Sequence, residues 1–493
     1  MQHLFDKLEH YSESDIYPYH MPGHKRNNCN QLPKALYTND ITEIEGFDDL
    51  HQPEGILLEL QKNAAKLYGA DESYYLVNGS SCGLLAALSA AVPFGEEILM
   101  ARNCHKSVYH AVYLRQYKVT YLWPSIIEEF DIFDAIRPSQ VEEALEKNSK
   151  IRAVIIVSPT YEGIISDVFE IAEVAHRHGI PLIVDEAHGA HLGLAPVVHE
   201  NSCRLGADLV IHSVHKTLPS LTQTALLHVN GEYIDRAILK RFLRIYQTSS
   251  PSYLLMASID NAMEYIRLQG AEAFSVFQSK FLEMLSKLKQ CRILKFLPYP
   301  DKKQDIGKLV ISVKNTGISG KELYDILLQK YHLQLEMAVH SYALAMFTVN
   351  DTEEAYHRMS TALLETDDML CSGEWIFNNK VSSFPSTNSQ EKQTRADGDR
   401  LSLSEAWDCA TEEICLDTAA GRISGEFVNL YPPGVPYLVP GETITKENIS
   451  QIYQWTKQGF KVQGIIEKEA DPYIKVVVTK DGKFDKRYDR ENE

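Results

Sequence analysis

The chain has 493 residues, more than one hydrophobic core usually serves, so two or three domains are expected. Hydrophobic residues make up 44% of it, and its net charge of −18 disfavours nucleic-acid binding and suits a cationic small molecule. The longest nearly apolar run, Gly83 to Phe94, is too short to span a bilayer, and the opening MQHLFDKLEH is charged, unlike a signal peptide. We therefore expect a cytoplasmic protein that does not enter a membrane.

Eight cysteines are scattered along the chain with no C-x-x-C spacing. This distribution disfavours a disulfide framework and a zinc ribbon, and it is typical of reduced thiols.

Between about Ser73 and Val229, short β-branched or aromatic runs alternate with longer helical patterns. This alternation predicts an α/β fold with a mostly parallel sheet, and the continuous apolar runs are typical of strands covered on both faces. The predicted strands are Tyr74 to Val77, Glu97 to Ala101, Val119 to Leu122, Ala153 to Val157, Leu182 to Asp185, Leu209 to His212 and Ala225 to Val229. A helix is predicted over Asp167 to His178.

Later segments predict further domains. Mixed helix and strand patterns predict a smaller α+β domain, and a Ser-, Asn- and Gln-rich stretch reads as a linker or mobile surface segment. The expected organisation is an N-terminal arm (1–45), a large domain (46–270), a small α+β domain (271–370), a linker (371–400) and a C-terminal α+β domain (401–493).

The first candidate site motif is NGSSCG, residues 78–83, which follows a strand and opens a helix. Backbone N–H groups and hydroxyls at a helix N-terminus can hold a phosphate, with Ser80 and Ser81 as side-chain donors. A capped helix after a tight turn is the equally good alternative. The motif is neither G-x-G-x-x-G nor a Walker loop, which disfavours a dinucleotide or ATP.

The second motif, ARNCHKSVYHA, places His105 after another strand end. An imidazole there could stack on a cofactor ring, although a hydrogen-bonded structural histidine is the commoner case.

The third motif, VDEAHGAH, places Asp185 at the carboxyl end of an apolar strand, the edge of an α/β sheet at which ligands bind. A buried aspartate there can keep a pyridine nitrogen protonated, and His188 could reach the same cofactor. Two alternatives are an H-x-x-H metal site, for which no third ligand is indicated, and the DEAH box of a nucleic-acid ATPase, which would need a Walker loop. No metal site is therefore predicted.

The fourth motif, ADLVIHSVHKTLPS, places Lys216 after a strand within a window of low charge. A lysine that forms a Schiff base must lie where burial or neighbouring charge favours the neutral amine. The 31 residues from Asp185 to Lys216 allow one intervening connection, so both side chains can line one sheet edge. The four motifs together point to pyridoxal 5'-phosphate.

Eight short strings, in this order, resemble the Orn/Lys/Arg decarboxylase family of fold-type I pyridoxal phosphate enzymes. They are PYHMPGHKRN, NGSSCG, NCHKS, SPTYEG, VDEAHGAH, SVHKTL, TSSPSY and YPPGVPYLVPGE. The resemblance spans nearly the whole chain and is greatest to the short members, typified by biosynthetic arginine decarboxylase. It implies an aspartate-aminotransferase-like large domain and decarboxylation of a basic amino acid, in the order arginine, then lysine or ornithine, for polyamine biosynthesis.

The resemblance also implies residue roles. Lys216 would carry the cofactor, Asp185 would pair with the pyridine nitrogen and His105 would stack on the ring. Ser80, Ser81, Ser213 and His215 would bind the phosphate. Sites of this family lie at the interface of a homodimer or larger homo-oligomer, which implies that Ser249 and His24 serve a partner's site.

The side chain of a basic substrate needs an anionic or aromatic partner, and Glu426, just before YPPG, is one candidate. An aminotransferase is the nearest alternative function. Such enzymes grip the substrate carboxylate with an arginine of the small domain, where Arg292 and Arg358 are the only arginines and neither is clearly placed at a site-facing strand end.

Overall fold

The computed structural model describes residues 3–22, 24–25, 33–298, 304–373, 401–468, 471–480 and 483–484. The α-helices are α1 (Leu4–Glu13), α2 (Lys34–Thr38), α3 (Ile56–Tyr68), α4 (Gly79–Ala91), α5 (Lys106–Arg115), α6 (Pro138–Lys147), α7 (Val168–Arg177), α8 (Val214–Thr217), α9 (Arg236–Tyr246), α10 (Tyr253–Leu288), α11 (Gly320–Tyr331), α12 (Glu353–Ser372), α13 (Leu403–Asp408) and α14 (Lys446–Lys457). Residues Leu416–Thr418 form a 3-10 turn.

The strands of the large sheet are β1 (Glu72–Leu76), β2 (Glu97–Ala101), β3 (Lys118–Leu122), β6 (Ile151–Val157), β7 (Leu182–Asp185), β8 (Leu209–His212) and β9 (Ala225–Val229), with the short pair β4 (Ile126–Ile127) and β5 (Ile132–Phe133) beside it. The remaining strands are β10 (Lys295–Phe296), β11 (Lys308–Ser312), β12 (Met337–Ala338), β13 (Tyr342–Met346), β14 (Thr411–Cys415), β15 (Asn429–Leu430), β16 (Val462–Gln463), β17 (Ile465–Lys468), β18 (Asp471–Val477), β19 (Thr479–Lys480) and β20 (Lys483–Phe484).

The large sheet has the strand order β1-β9-β8-β7-β6-β2-β3. Only β9 runs against its neighbours, because both of its pairings are antiparallel while the others in this sheet are parallel. The expected α/β fold with a mostly parallel sheet is therefore confirmed. Six strands end at the same edge, where open α/β sheets bind their ligands.

The central strands are buried along their whole length because helices cover both faces of the sheet. All four residues of Leu182–Asp185 are buried, as are all four of Leu209–His212. Helix α7 begins after Asp167, whose carboxylate accepts a hydrogen bond from the backbone N–H of Glu170 and so caps the helix. The apolar face of α7 packs Val168, Ile171 and Ala175 into the core.

A second sheet, of order β10-β11-β13-β12, is antiparallel and packs against α11, while α12 contacts α11 and α10. The 36-residue helix α10 runs continuously through residue 270, the expected boundary between large and small domains. Helix α12 ends at Ser372, inside the first residues of the expected linker, and the rest of that linker, residues 374–400, lies outside the described residues.

The C-terminal region contains a three-stranded sheet of order β14-β18-β17 and helix α14. Within the described residues, no helix is both long and apolar enough to cross a membrane. Seven cysteines of that part of the chain are free thiols, and no group of three or more His, Cys, Asp or Glu residues there could hold a metal ion.

Candidate active site

A cavity of about 230 Å³ opens at the carboxyl edge of the large sheet. Four strand ends supply its floor: Asn103 and His105 follow β2, Thr160 follows β6, Asp185 ends β7 and Lys216 follows β8. Residues of the small sheet and of the C-terminal segment 430–437 form the other walls. The large sheet, the small sheet and the C-terminal segment therefore all contribute residues to the site.

The N-terminus of helix α4 faces this cavity. Gly79 has a φ of +74° as the chain turns from β1 into the helix, a conformation that favours glycine. Ser80 lines the cavity, and its hydroxyl oxygen accepts a hydrogen bond of 2.9 Å from Ser213, which follows β8. Two hydroxyls and the positive end of a 13-residue helix therefore meet where an anion could bind.

Lys216 and Asp185 lie in the same cavity and interact electrostatically. Burial raises the pKa of the Asp185 carboxyl, and the Lys216 amine opposes that rise. Burial lowers the pKa of the Lys216 amine, while the carboxylates of Asp185 and Glu336 oppose this fall. Asp185 also accepts a hydrogen bond of 3.2 Å from the backbone N–H of Ala187, which holds it at the strand end.

His188 lies between two lysines. Its Nε2 is 3.0 Å from the Nζ of Lys216, and its Nδ1 is 2.9 Å from the Nζ of Lys308, a buried lysine of β11. Burial and the charges of both lysines hold the pKa of His188 well below its usual range, so the ring is neutral. The ring of Tyr161 packs on His188 with centroids 4.4 Å apart.

His105 lines the cavity at the N-terminus of α5. Its Nδ1 accepts a hydrogen bond from the backbone N–H of Ser107 and lies 2.8 Å from the Ser107 hydroxyl. Burial, with the charges of Lys216 and Lys106, lowers the pKa of His105 to about 4. Gly434 packs against this ring so closely that a Cβ would lie 3.1 Å from Nε2. A neutral, flat and fixed imidazole results.

Arg102 anchors the C-terminal segment over the cavity. It donates hydrogen bonds of 2.6 Å to the Pro436 carbonyl and 3.2 Å to the Tyr437 carbonyl, and it forms an ion pair with Glu442 at 3.2 Å. The aromatic rings of Tyr109, Tyr121 and Trp123 lie 5.5 to 5.7 Å from its guanidinium carbon.

Three further carboxylates line the cavity. Glu162 is buried and accepts a hydrogen bond of 2.6 Å from the Tyr342 hydroxyl, and Asp131 pairs with Lys314 at 2.9 Å. The carboxylate of Glu128 forms no ion pair within the described residues. The indole of Trp455 and the ring of Tyr437 also line the cavity, so this wall combines negative charge with aromatic surface.

Comparison with known proteins identifies the family of this chain. A model of the Orn/Lys/Arg decarboxylase major domain matches residues 2–342, and a model of the C-terminal domain of Orn/Lys/Arg decarboxylase matches residues 392–463. The chain belongs to the Orn/Lys/Arg decarboxylase family. It is accordingly a pyridoxal phosphate-dependent amino-acid decarboxylase.

Relatives of this decarboxylase match it along most of its length. The uncharacterized protein YaaO of Bacillus subtilis is 32% identical over 96% of this chain and 98% of its own. An arginine decarboxylase of Bacillus anthracis is 30% identical over 94% of each chain. The solved lysine decarboxylase LdcF of Francisella novicida has a TM-score of 0.80 at 18% identity, covering 96% of this chain and 81% of its own, and shows the shared fold.

The decarboxylase cavity suits pyridoxal phosphate. The helix N-terminus with the hydroxyls of Ser80 and Ser213 matches a phosphate, the buried Asp185 matches a protonated ring nitrogen, and the Lys216 amine matches an aldehyde. The Oδ1 of Asn103 is buried in this cavity without a hydrogen-bond partner among the described residues, which leaves an acceptor for a bound group.

Six of the residues singled out in the sequence lie outside the cavity lining, and one of them, Ser213, is buried behind Ser80. Ser81 is exposed, and His215 lies with Nδ1 2.8 Å from the Thr224 carbonyl. Glu426 accepts a hydrogen bond from its neighbour's backbone N–H, Ser249 is exposed, and His24 lies 3.2 Å from Asp40. The structure therefore brings together Lys216, Asp185, His105, His188 and Ser80, with Ser213 behind Ser80.

Sequence reasoning missed Lys308, Arg102 and Glu128. Lys308 is a lysine in a run of five buried strand residues, which is the signal that could have marked it. Arg102 lies within the motif that placed His105, and only its burial distinguishes it from a surface arginine.

Neither arginine of the small domain serves the site. Arg292 pairs with Asp368 at 2.6 Å, and Arg358 donates to the carbonyls of Tyr331 and His332. Both lie outside the cavity lining, which agrees with a decarboxylase that does not grip the substrate carboxylate through that domain.

Proposed function

We propose that this decarboxylase acts on arginine, with lysine and ornithine as weaker substrates, and supplies an amine for polyamine synthesis in the cytoplasm. The observation that carries the proposal is the cavity itself, in which Lys216 and Asp185 share one end with an acidic and aromatic wall beyond them. A long cationic side chain fits that wall because Glu128, Asp131 and Trp455 offer it charge and ring surface. Arginine is favoured because the relative from Bacillus anthracis is named for it.

We assign the cofactor to the residues that meet at the sheet edge. Lys216 would hold it covalently, Ser80 and Ser213 would bind its phosphate at the N-terminus of α4, and His105 would lie against its ring. Bound pyridoxal phosphate supplies an electron sink for the electron pair left when carbon dioxide departs. Asp185 would keep that sink effective by holding the proton on the ring nitrogen, which its burial beside Lys216 supports.

The remaining steps need groups that hold and move protons. Lys216 and His188 are within 3.0 Å of each other, so either can carry the proton that replaces the carboxylate on the substrate carbon. The closely packed walls, with Gly434 against His105 and Arg102 fixing the C-terminal segment, would exclude water from this step.

A homodimer or larger assembly with shared sites belongs to the same proposal. Ser249 and the large hydrophobic residues Tyr17, Tyr19 and Met21 of the N-terminal arm are exposed in the single chain. Apolar surface of this kind supports association with a second copy.

The test is a substrate panel. Purified protein with pyridoxal phosphate is incubated separately with arginine, lysine and ornithine, and the amine product of each is quantified. We expect the largest kcat/KM for arginine, and the variant Lys216→Ala should lose both turnover and the visible absorbance of the protein-linked cofactor. Equal or greater kcat/KM for another amino acid would reject the arginine assignment, and normal turnover by Lys216→Ala would reject the site.

A further inference from the structure

Lys308 is a second lysine beside His188, at the ring nitrogen opposite the one that faces Lys216, and the charge of Lys216 acts on it. Lys308 is 2% exposed and is the first residue of a strand whose five residues are all buried. A lysine is rarely buried so fully unless it is paired, because its charge loses hydration. Among the described residues its Nζ has one hydrogen-bond partner, the Nδ1 of His188 at 2.9 Å.

The loop after β6 holds Lys308 in this position. A Cβ on Gly163, whose φ is +96°, would lie 2.7 Å from the Cγ of Lys308, so the loop backbone packs directly on the lysine stem. The Gly163 carbonyl accepts a hydrogen bond of 2.7 Å from the backbone N–H of Asp305. Tyr161 places its ring 5.8 Å from the Lys308 Nζ and also packs on His188. The amine is therefore held against the ring nitrogen.

The imidazole limits how many protons the two lysines can carry. A neutral imidazole has one N–H and one lone pair, so it accepts a hydrogen bond from one ammonium and donates to one neutral amine. Each ring nitrogen of His188 already has a lysine as its partner, with Lys216 at Nε2 and Lys308 at Nδ1. Two ammonium groups would leave the ring N–H pointing at a donor, in addition to the repulsion between like charges.

We propose that Lys216 and Lys308 share one proton through His188. In one state the Lys308 ammonium donates to Nδ1, and Nε2–H donates to the neutral amine of Lys216. Transfer of a proton from Lys308 to Nδ1, together with transfer of the Nε2 proton to Lys216, gives the other state, and one proton has moved in total. Lys308 is thus a positioning residue that keeps Lys216 neutral when a nucleophilic amine is needed.

The surrounding charges support such sharing. Asp305, Glu336 and Glu162 act on Lys308, and Asp185 and Glu336 act on Lys216. His105 and His215 also act on His188. Burial lowers the pKa of Lys308 to about 8 and also lowers that of Lys216, so burial favours the neutral amine at both positions. Substitution of Lys308 leaves all these other groups in place. A change in the titration of Lys216 in such a variant therefore reports the loss of the shared proton.

The inference rests on the proposed role of Lys216, and the test is made on the full chain freed of cofactor. Lysines are methylated with formaldehyde and cyanoborohydride over a series of pH values, and the initial rate at each lysine is read by peptide mass spectrometry. The rate at Lys216 should rise with pH in two steps, because coupled groups titrate with two macroscopic pKa values. In Lys308→Met it should rise in a single step.

Two further variants sharpen the result. Lys308→Arg retains a permanent cation, so Lys216 should titrate in one step at least about one pH unit below its midpoint in Lys308→Met. Lys321→Met, the same change on α11 at a lysine that pairs with Asp325, should keep both steps.

A Lys216 profile in folded Lys308→Met that superimposes on the wild-type profile would overturn the proposal. If Lys308→Met does not fold, wild-type protein decides: Lys308 must show the same two midpoints as Lys216, and unrelated midpoints overturn sharing. The titration is measured without cofactor or substrate, so its result does not depend on the proposed activity. Two-step titration in a protein that does not turn over arginine would therefore count against the proposed function and not against proton sharing.

Discussion

At the scale of single residues, burial sets the chemistry of the site. Asp185 and Lys216 are both removed from water, so burial disfavours the charged form of each and the opposite charge of the other favours it. His105 and His188 stay neutral for the same reason and because lysines surround them. The result is a pocket in which fixed charges face a bound group with little screening by solvent.

The first prediction concerns Asp185. Asp185→Asn keeps the size of the side chain and removes the charge that would hold a proton on the cofactor ring. We expect kcat to fall by about 100-fold or more, while the visible absorbance of the cofactor linked through Lys216 persists. Asp208→Asn is the matched control, since Asp208 is a buried carboxylate at the other end of β8 that binds His176 instead. A kcat for Asp185→Asn near the wild-type value would remove Asp185 from the mechanism.

The second prediction concerns the cationic end of the substrate. Glu128→Gln should raise KM for arginine roughly 10-fold, the loss of one charge-assisted hydrogen bond, with a smaller effect on kcat. Glu129→Gln is the control because Glu129 is exposed and lies outside the cavity lining. Equal KM values for the two variants would place the substrate cation elsewhere, at Asp131 or Glu162.

At the scale of secondary-structure elements, the sequence predicted those features of the fold that depend on local residue patterns. The boundaries of β2, β7, β8 and β9 agree with the predicted runs, because a strand buried on both faces consists mostly of apolar residues. Asp185 and Lys216 follow from the same reasoning, since parallel strands end at one edge. The antiparallel direction of β9 has no such local signal.

Contacts between distant parts of the chain were outside the reach of local pattern. The pairing of His188 with Lys308 spans 120 residues, and that of Arg102 with Pro436 spans 334. Glu426 was a reasonable anion before YPPG, but the turn that follows directs other residues to the cavity. The acidic and aromatic wall of the cavity is built by such long-range packing. The sequence motifs could therefore locate the residues around Lys216 and Asp185 but not those of this wall.

The third prediction concerns the element that covers the site. Glu442→Gln removes the charge that balances the buried Arg102 and should lower the free energy of unfolding by about 2 kcal/mol, since Glu442 is partly exposed. Glu413→Gln, which breaks the exposed pair with Lys468, should leave the free energy of unfolding nearly unchanged. Urea unfolding of both variants provides the measurement. Equal stability would mean that Arg102 is held by the carbonyls of 436 and 437 alone.

At the scale of the whole molecule, the site joins the two larger sheets. Lys308 of β11 reaches His188 after β7, and Asp305 pairs with His191 at 2.5 Å. Behind them, His212 lies 2.6 Å from Glu186 and 3.1 Å from His228, and His228 lies 2.6 Å from the Ser73 hydroxyl. Buried histidines therefore extend from the cavity through the large sheet, and their titration is coupled to folding.

The last prediction follows from those histidines. Burial lowers the pKa of His105 to about 4 and of His212 to about 3, and it holds the pKa of His188 and His228 well below the usual range. In the unfolded chain each has a pKa of about 6.5. Between about pH 6.5 and pH 4 the unfolded chain therefore binds more protons than the folded chain, so the free energy of unfolding must fall as the pH falls.

Buried acids oppose this trend, because burial raises the pKa of Glu186 and also those of Asp185, Asp208, Asp260 and Asp351. Burial raises the pKa of Glu186 to about 8, so the folded chain keeps a proton there that the unfolded chain has lost, and stability from this group decreases as the pH rises. The histidines outnumber these five acids, because burial also lowers the pKa of His110, His215 and His340, which makes seven histidines in all. Urea unfolding at about pH 6.5 and pH 5 should therefore show lower stability at the lower pH, by about 1.4 kcal/mol per pH unit for each net proton. His105→Asn should reduce the slope by about one proton, while His178→Asn, at an exposed position, should not. A stability that is flat or rises toward pH 5 would show that the buried histidines are charged in the folded chain.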